Sequence, residues 1–300
     1  MRRLLLWALL IPCAVEAGVI QDVRAAIAKG DFAGGDRLIA AYRAQQGVTA
    51  EMLEALSWLG RGALAAKQLD RAEAYASETR KLALEQLKSR KLDAERRLPI
   101  ALGASIEVQA QAMAARGERG EAVSFLQQEV KAWWDTSIRT RIQKNINLLS
   151  LEGKPAPSLD AREWLGPKPP PQDEWKGRPV LLFFWAHWCG DCKRQAPVLA
   201  KLKAAYPALL VIGPTQRYGY VARGQEAPPA EELKYIDEVR RTHYAELPDM
   251  PAPVSEENFK SYGASTTPTL VLIDGRGSVR LYHPGNMAYE ELAGRVTRLF

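Results

Sequence analysis

A Cys-x-x-Cys turn at residues 189–192 stands between a hydrophobic run and a polar stretch that can start a helix. The run at 179–185 predicts a buried strand, and the segment that begins near Cys189 predicts a helix. A helix that starts there directs unpaired N–H groups and the positive end of its dipole at the first sulfur, which favours the thiolate. Cys192 can close a disulfide with Cys189. The order of strand, turn and helix therefore predicts two-electron thiol chemistry.

A structural zinc site is the main alternative for such a pair. It needs four ligands, and the chain offers one further cysteine, Cys13, and three widely spaced histidines, His187, His243 and His283. This ligand count favours redox chemistry and predicts no metal. A copper site built from both thiols and His283 stays open, without positive support.

Length and composition indicate an ordinary globular protein. Three hundred residues suggest about two domains, and 47% apolar with 25% charged residues provide a core without bulk disorder. The net charge of +6 is spread along the chain rather than concentrated in a stripe. We therefore expect no nucleic-acid partner.

The N-terminus has the pattern of an export signal. Arg2 and Arg3 precede a short apolar run at 4–11, and 15–17 form a small-residue cleavage site. We expect residues 1–17 to be removed and the mature chain to reside in the bacterial periplasm or another extracytoplasmic space, without a membrane span. A lipid anchor at Cys13 is the alternative, but Pro12 fits such a site poorly.

Residues 18–150 predict an all-α domain of helical hairpins. Apolar residues recur at helical spacing, and turn signals at 29–32, 67–70 and 116–119 separate the helical patterns. The pattern loosely resembles tetratricopeptide repeats, but the spacing is irregular. Such a domain could hold a protein partner. Trp133 and Trp134 are either a partner anchor or, as we expect, residues packed at the domain junction.

Composition changes after residue 151, where a proline- and glycine-rich lead-in segment runs to residue 178. The rest alternates between strand and helix patterns, with a hairpin signal at 274–277. The predicted strands are 179–185, 209–213, 269–273 and 279–282. The predicted helices are 189–205, 229–244, a short one capped by Ser255 and ending at Tyr262, and 289–299. This pattern indicates an α/β sandwich with a mixed central sheet over 151–300.

Residues 151–300 resemble the thioredoxin-fold proteins, and in particular the exported thiol-disulfide oxidoreductases of the TlpA and ResA type (redoxin domains). The resemblance rests on the lead-in segment, on Trp188 with the Cys-x-x-Cys turn, and on the segment 262–269. It implies a thioredoxin fold, catalytic cysteines Cys189 and Cys192, and a cis peptide bond between Thr267 and Pro268. The further residues that it implies to support the site are Trp188, Gly190, Asp191, Lys193, Pro197 and Gly285.

Two positions depart from the family pattern. Asp191 stands where the family often has proline, and it places negative charge beside the Cys189 thiolate. A less stabilised thiolate makes the dithiol a better reductant. Phe183 stands where cytoplasmic thioredoxins bury an acid, so any proton acceptor must come from elsewhere, such as the insert between Pro214 and Glu257. His187 and His283 could tune the site, although isolated histidines are more often packing or surface residues.

These observations predict an exported thiol-disulfide oxidoreductase that reduces protein disulfides and is recycled by an unidentified electron donor. The redox-active Cys189–Cys192 disulfide is expected to need no other cofactor. Two other functions stay open: a non-catalytic adaptor with a redox-sensing domain, and a thiol peroxidase. The turn sequence at 188–192 does not fit the Thr-x-x-Cys setting of the peroxidases.

Overall fold

The computed structural model describes residues 18–300. The predicted export signal at 1–17 lies outside this range. The chain forms two compact units, the first ending at Ser105 and the second running from Ile106 to Phe300. This division differs from the composition boundary at residue 150, which stays a prediction.

The first unit is all-α, as the sequence predicted, and the predicted turns at 29–32 and 67–70 each separate two of its helices. The helices are α1 (Val19–Ala28), α2 (Phe32–Gln46), α3 (Ala50–Ala65), α4 (Leu69–Gln86) and α5 (Arg97–Ala115), which continues into the second unit. Asp31 and Thr49 cap α2 and α3, accepting hydrogen bonds from the N–H groups of Gly34 at 2.7 Å and Met52 at 3.2 Å. α1 packs against α2 and α3, and α3 against α4. Their resemblance to tetratricopeptide repeats stays a prediction.

The second unit combines helices with a mixed sheet. The elements are α6 (Arg119–Ala132), α7 (Arg139–Ser150), β1 (Trp164–Leu165), β2 (Val180–Phe184), α8 (Gly190–Ala205), β3 (Leu210–Ile212), α9 (Pro229–His243), β4 (Ala252–Pro253), α10 (Glu256–Tyr262), β5 (Thr269–Ile273), β6 (Val279–Pro284) and α11 (Tyr289–Thr297). The four-stranded sheet has the order β3-β2-β5-β6, with β2 parallel to β3 and antiparallel to β5. The predicted strands and helices of 179–299 are thus confirmed, with ends that differ by one or two residues.

The central strand β2 is buried on both faces. Leu181 and Phe183 face a core shared with α8, α9 and α11. Leu182 and Phe184 face a second core, which contains Phe259 and Tyr262 of α10. This alternation follows from the two-residue period of a strand. It explains why the strand that supports the Cys-x-x-Cys turn is apolar throughout.

Helix α7 packs against α10 and lies beside β6. Arg139 of α7 forms an ion pair of 3.0 Å with Glu257 of α10. The side chains of Arg141 and Lys144 bind Glu107 at 2.6 and 2.7 Å. Burial acts to raise the pKa of Glu107, but these two cations outweigh it and hold the pKa at about 2. Helix α7 is therefore an integral part of the second unit.

Two local expectations need correction. Trp134 is not buried: half of its surface is exposed, and the guanidinium of Arg139 stacks 3.5 Å from its ring centre. Ser255 precedes α10, but its hydroxyl donates to Asp160 at 2.9 Å instead of capping the helix. The lead-in segment makes a bridge between Pro155 and Ser278 and main-chain hydrogen bonds from Gly153 to Val279 and from Ala156 to Gly277, and it then forms the two-residue strand β1.

Candidate active site

The turn after β2 is fixed by hydrogen bonds on both sides of Trp185. The Trp185 indole N–H donates to the carbonyl of Gly213 at 2.8 Å, and its main-chain N–H donates to Pro214 at 3.1 Å. The Thr215 hydroxyl donates to the Trp185 carbonyl at 3.0 Å. Trp185, Ala186 and His187 are all buried. The residues that lead into Cys189 are therefore held against the neighbouring chain segment.

Cys189 and Cys192 form a disulfide at the start of α8, with an S–S distance of 2.11 Å. Cys189 is the N-cap residue, and its Sγ accepts a hydrogen bond from the main-chain N–H of Cys192 at 3.0 Å. The same N–H can donate to a thiolate when the disulfide is reduced, and the helix dipole adds to this stabilisation. Only 3% of Cys189 is exposed, and Cys192 is fully buried.

A cis peptide bond lies beside the sulfurs, between Thr267 and Pro268. The prediction that Pro268 is cis is thus confirmed. The carbonyl oxygen of Thr267 lies 3.4 Å from Cys189 Sγ. Gly285 donates its N–H to the Pro268 carbonyl at 2.7 Å, so it lies next to the cis bond, as the resemblance implied. The structure therefore brings together residues from three distant parts of the sequence.

The comparisons with known proteins agree with this geometry. A model of the thioredoxin-like domain matches residues 174–299. The thiol-disulfide oxidoreductase ResA of Bacillus cereus is 30% identical over 146 residues, which are 47% of this chain and 73% of that protein. The chain belongs to the thioredoxin-like thiol-disulfide oxidoreductases. The thioredoxin-like protein YneN of Bacillus subtilis is 28% identical over 144 residues, 47% of this chain and 76% of YneN. The thiol:disulfide interchange protein DsbE of Xylella fastidiosa is 30% identical over 137 residues, 45% of this chain and 62% of DsbE.

Within this oxidoreductase, the other predicted support residues differ in what they contact. Trp188 is half exposed, and its ring meets that of Tyr218 edge-on at 5.5 Å. A Cβ at Gly190 would make only an ordinary contact with Arg194, so the space there does not demand glycine. Pro197 lies inside α8. It lines a cavity of about 190 Å³ together with Lys193.

Asp191 has partners that the sequence interpretation did not consider. Its carboxylate contacts the guanidinium of Arg194, one turn along α8, and accepts a hydrogen bond from the Asn286 amide at 3.2 Å. The cation offsets part of the negative charge that Asp191 brings to the sulfurs. The spacing of three residues on a helix is a signal that could have revealed the ion pair.

Gln195 is a buried residue of the site that sequence reasoning missed. Its side-chain amide donates to the Met287 carbonyl at 3.1 Å, and its oxygen accepts from the Met287 N–H at 2.9 Å. These two bonds fasten α8 to the chain segment that follows Gly285. A polar residue on the buried side of α8, three positions after Cys192, was the available signal.

The position of Phe183 holds no acid and is packed with aromatic side chains. The Phe183 ring meets the ring of Tyr244 edge-on at 5.6 Å, and Trp185 lies 4.8 Å from Tyr244. Burial raises the pKa of Tyr244. No acid of the insert makes a hydrogen bond or ion pair with either sulfur among residues 18–300, and a proton acceptor from the insert stays a prediction.

His187 lies in the turn and is buried against the insert. Its Nε2 is 3.3 Å from the carboxylate of Glu232, which is equally buried. Burial lowers the pKa of His187, and the nearby Glu232 charge opposes that shift only in part. His283, in contrast, contacts the Asn286 carbonyl at 3.1 Å. Within residues 18–300, no three His, Cys, Asp or Glu side chains are grouped to hold a metal ion.

Proposed function

We propose that this protein is an exported enzyme that reduces disulfide bonds in other proteins. The observation that carries the proposal is the Cys189–Cys192 disulfide at the first turn of α8, directly beside the cis Thr267–Pro268 bond. The family membership supports thiol–disulfide exchange. The kind of substrate, the direction of electron flow and the location are our proposals.

In the proposed reaction, the dithiol form attacks first through Cys189. The Cys189 thiolate attacks one sulfur of the substrate disulfide, the substrate S–S bond breaks, and the second substrate sulfur leaves as a thiolate that takes up a proton. Cys192 then loses its proton and attacks Cys189 Sγ in the mixed disulfide. The substrate leaves with two thiols, and the enzyme keeps the Cys189–Cys192 disulfide. Two electrons have passed to the substrate, and an external dithiol donor must return them.

A protein substrate is supported by the free main chain at Thr267. Among residues 18–300, no hydrogen bond uses the main-chain N–H of Thr267, and its hydroxyl also has none. This N–H belongs to the residue whose carbonyl lies 3.4 Å from Cys189 Sγ. An extended peptide that pairs with it would bring its own cystine to Cys189. Thr267 and Pro268 thus have the proposed role of substrate docking.

The reducing direction is supported by Asp191, whose charge disfavours the thiolate. The reduction potential of the Cys189–Cys192 pair tests the proposed direction of electron flow. A value near about −270 mV, like that of thioredoxin, fits a reductase, and a value near about −120 mV, like that of DsbA, would reverse the direction.

Export is supported by the sequence of residues 1–17, which precede the described part of the chain. The described residues contain no helix with the length and apolar character needed to cross a bilayer. We propose that the mature protein acts outside the cytoplasm, that no cofactor beyond the cysteine pair is required, and that the helices of 18–150 hold a protein partner. Mass determination of the protein purified from its native host tests cleavage after Ala17.

The deciding experiment uses the mature dithiol protein with insulin as the disulfide substrate, and dithiothreitol returns the two electrons of each cycle where turnover is measured. We expect turnover with the wild type, none with Cys189→Ser, and an accumulating mixed disulfide with Cys192→Ser, detected as a reducible adduct on a gel. A wild type without insulin turnover would favour the adaptor function. Faster consumption of peroxide than of insulin disulfide would favour the peroxidase function.

A further inference from the structure

A buried acid and a buried histidine join the insert to the turn that carries Cys189. Glu232, in the first turn of α9, and His187 each have only 1% of their surface exposed, and they approach within 3.3 Å. Burying a carboxylate is costly unless it is hydrogen-bonded or paired. The reaction described above uses neither residue, so this pair needs another explanation.

Glu232 holds one short stretch of the insert in place. One carboxylate oxygen accepts the main-chain N–H of Tyr218 at 2.5 Å, and the other accepts that of Gly219 at 2.9 Å. The neighbouring Arg217 is held from the other side, since its guanidinium binds both carboxylate oxygens of Glu163 and its Nε donates to the Pro229 carbonyl at 3.1 Å. The segment 217–219 is therefore fixed by the buried Glu232 carboxylate and by the partly exposed contacts of Arg217.

This anchoring places aromatic rings against the catalytic turn. The rings of Tyr218, Tyr220 and Tyr235 surround His187, with centroid distances of 5.5, 5.2 and 5.4 Å. Tyr218 also meets Trp188 edge-on at 5.5 Å. Trp188 immediately precedes Cys189 and is half exposed. The two rings together form a partly exposed aromatic wall next to the sulfur that attacks substrate.

We propose that Glu232 and His187 position Tyr218 as a specificity-determining residue, whose ring and that of Trp188 bind an apolar side chain beside the disulfide of a protein substrate. The inference rests on the proposed function, because it concerns the same site. The occupant is an extended protein segment. The free N–H of Thr267 offers that segment a main-chain partner, and the aromatic wall offers its side chain an apolar surface.

The test compares two disulfides that differ in what they present to this wall. Stopped-flow fluorescence gives the second-order rate constants of the reduced full-length mature protein with insulin and with oxidised glutathione, which has no apolar side chain beside its cystine. We expect Tyr218→Ala to slow the reaction with insulin about tenfold and the reaction with glutathione less than twofold. Tyr218→Phe, which keeps the ring, should leave both rate constants within twofold of the wild type.

Glu232→Gln tests the positioning part. The amide nitrogen of glutamine would face one of the two N–H groups, so the segment loses an acceptor and the insulin rate should fall as in Tyr218→Ala. The exposed neighbour Glu231 provides the matched control, and Glu231→Gln should have no effect. If Glu232→Gln does not fold, as judged by near-ultraviolet circular dichroism, His187→Asn takes its place.

An equal slowing of both reactions by Tyr218→Ala would overturn the inference, because it would indicate a general structural role. An unchanged insulin rate would overturn it as well. A wild type that reacts with neither disulfide would instead contradict the proposed function itself.

Discussion

Alanine at Gly263 tests the packing of α7 on the domain that carries the cysteines. Gly263 ends α10 with a φ of +61°, and it lies directly under the backbone of α7. A Cβ built there would be 2.3 Å from the Lys144 nitrogen and 2.6 Å from the Gln143 carbonyl carbon. These neighbours are main-chain atoms, so they cannot rotate away. Helix α7 would have to shift.

The expected loss of stability has two parts. A side chain at positive φ costs about 1–2 kcal/mol, and forcing extra atoms into a packed contact costs about 1–3 kcal/mol. The sum predicts that Gly263→Ala lowers the free energy of unfolding by about 2–5 kcal/mol. Gly277 is a matched control, since its φ is +84° but a Cβ there would meet nothing within 4 Å. Gly277→Ala should show only the first part, about 1–2 kcal/mol.

Urea unfolding of both variants, followed by far-ultraviolet circular dichroism, measures the difference. The energy of the clash with α7 is the amount by which the loss of unfolding free energy in Gly263→Ala exceeds that in Gly277→Ala. Equal losses in the two variants would refute the reasoning, because they would show that α7 does not pack at Gly263. They would also favour the composition boundary at residue 150 over a unit that begins at Ile106.

Two further predictions concern charge near the disulfide. Asp191→His should raise the reduction potential of the Cys189–Cys192 pair by about 20 mV, because each exposed charge contributes up to about 1 kcal/mol. Arg194→Ala should lower the same potential. Equilibration with glutathione measures both potentials, and no shift in either variant would contradict the electrostatic argument. The second prediction concerns His187, whose pKa is lowered by burial in the folded protein. Below about pH 6.5 the unfolded chain therefore binds a proton at His187 more readily than the folded chain does. The contribution of His187 to the free energy of unfolding should therefore be constant above this pH, and below it the free energy should fall by at most about 1.4 kcal/mol per pH unit. The urea midpoint should decline less steeply with falling pH in His187→Asn than in His243→Asn. Equal effects of the two variants would contradict the assignment to His187.

The parts of the fold that the sequence predicted well are those encoded by local patterns. The apolar run of β2 and the turn signals between helices are short-range features, and they appear where expected. The cis bond at Pro268 was accessible through family resemblance, because the segment 262–269 matched a known pattern. None of these required knowing which elements meet in space.

The missed contacts join residues that are distant in sequence. Gln195 binds Met287 across 92 positions, and His187 meets Glu232 of the insert, from which α8 and β3 separate it in the sequence. Neither pair has a periodic signature, so a single sequence offers no way to connect its members. The sequence does not indicate the packing of α7 on Gly263 either, because a helix that packs on a sheet domain has the same composition as one that packs on other helices.

The partner of Asp191, in contrast to these long-range contacts, could be inferred from the sequence. The residue alone indicates a destabilised thiolate and hence a reductant. Arg194 lies one helical turn away and contacts the same carboxylate. The thiolate therefore responds to the sum of two opposite charges and to the N–H of Cys192, which donates to Cys189 Sγ at 3.0 Å. Both side chains are more than half exposed, so salt screens each of them and neither can dominate the potential. The reduction potential of the Cys189–Cys192 pair is consequently set by a small difference between nearby charges, so Asp191→His and Arg194→Ala should shift it in opposite directions.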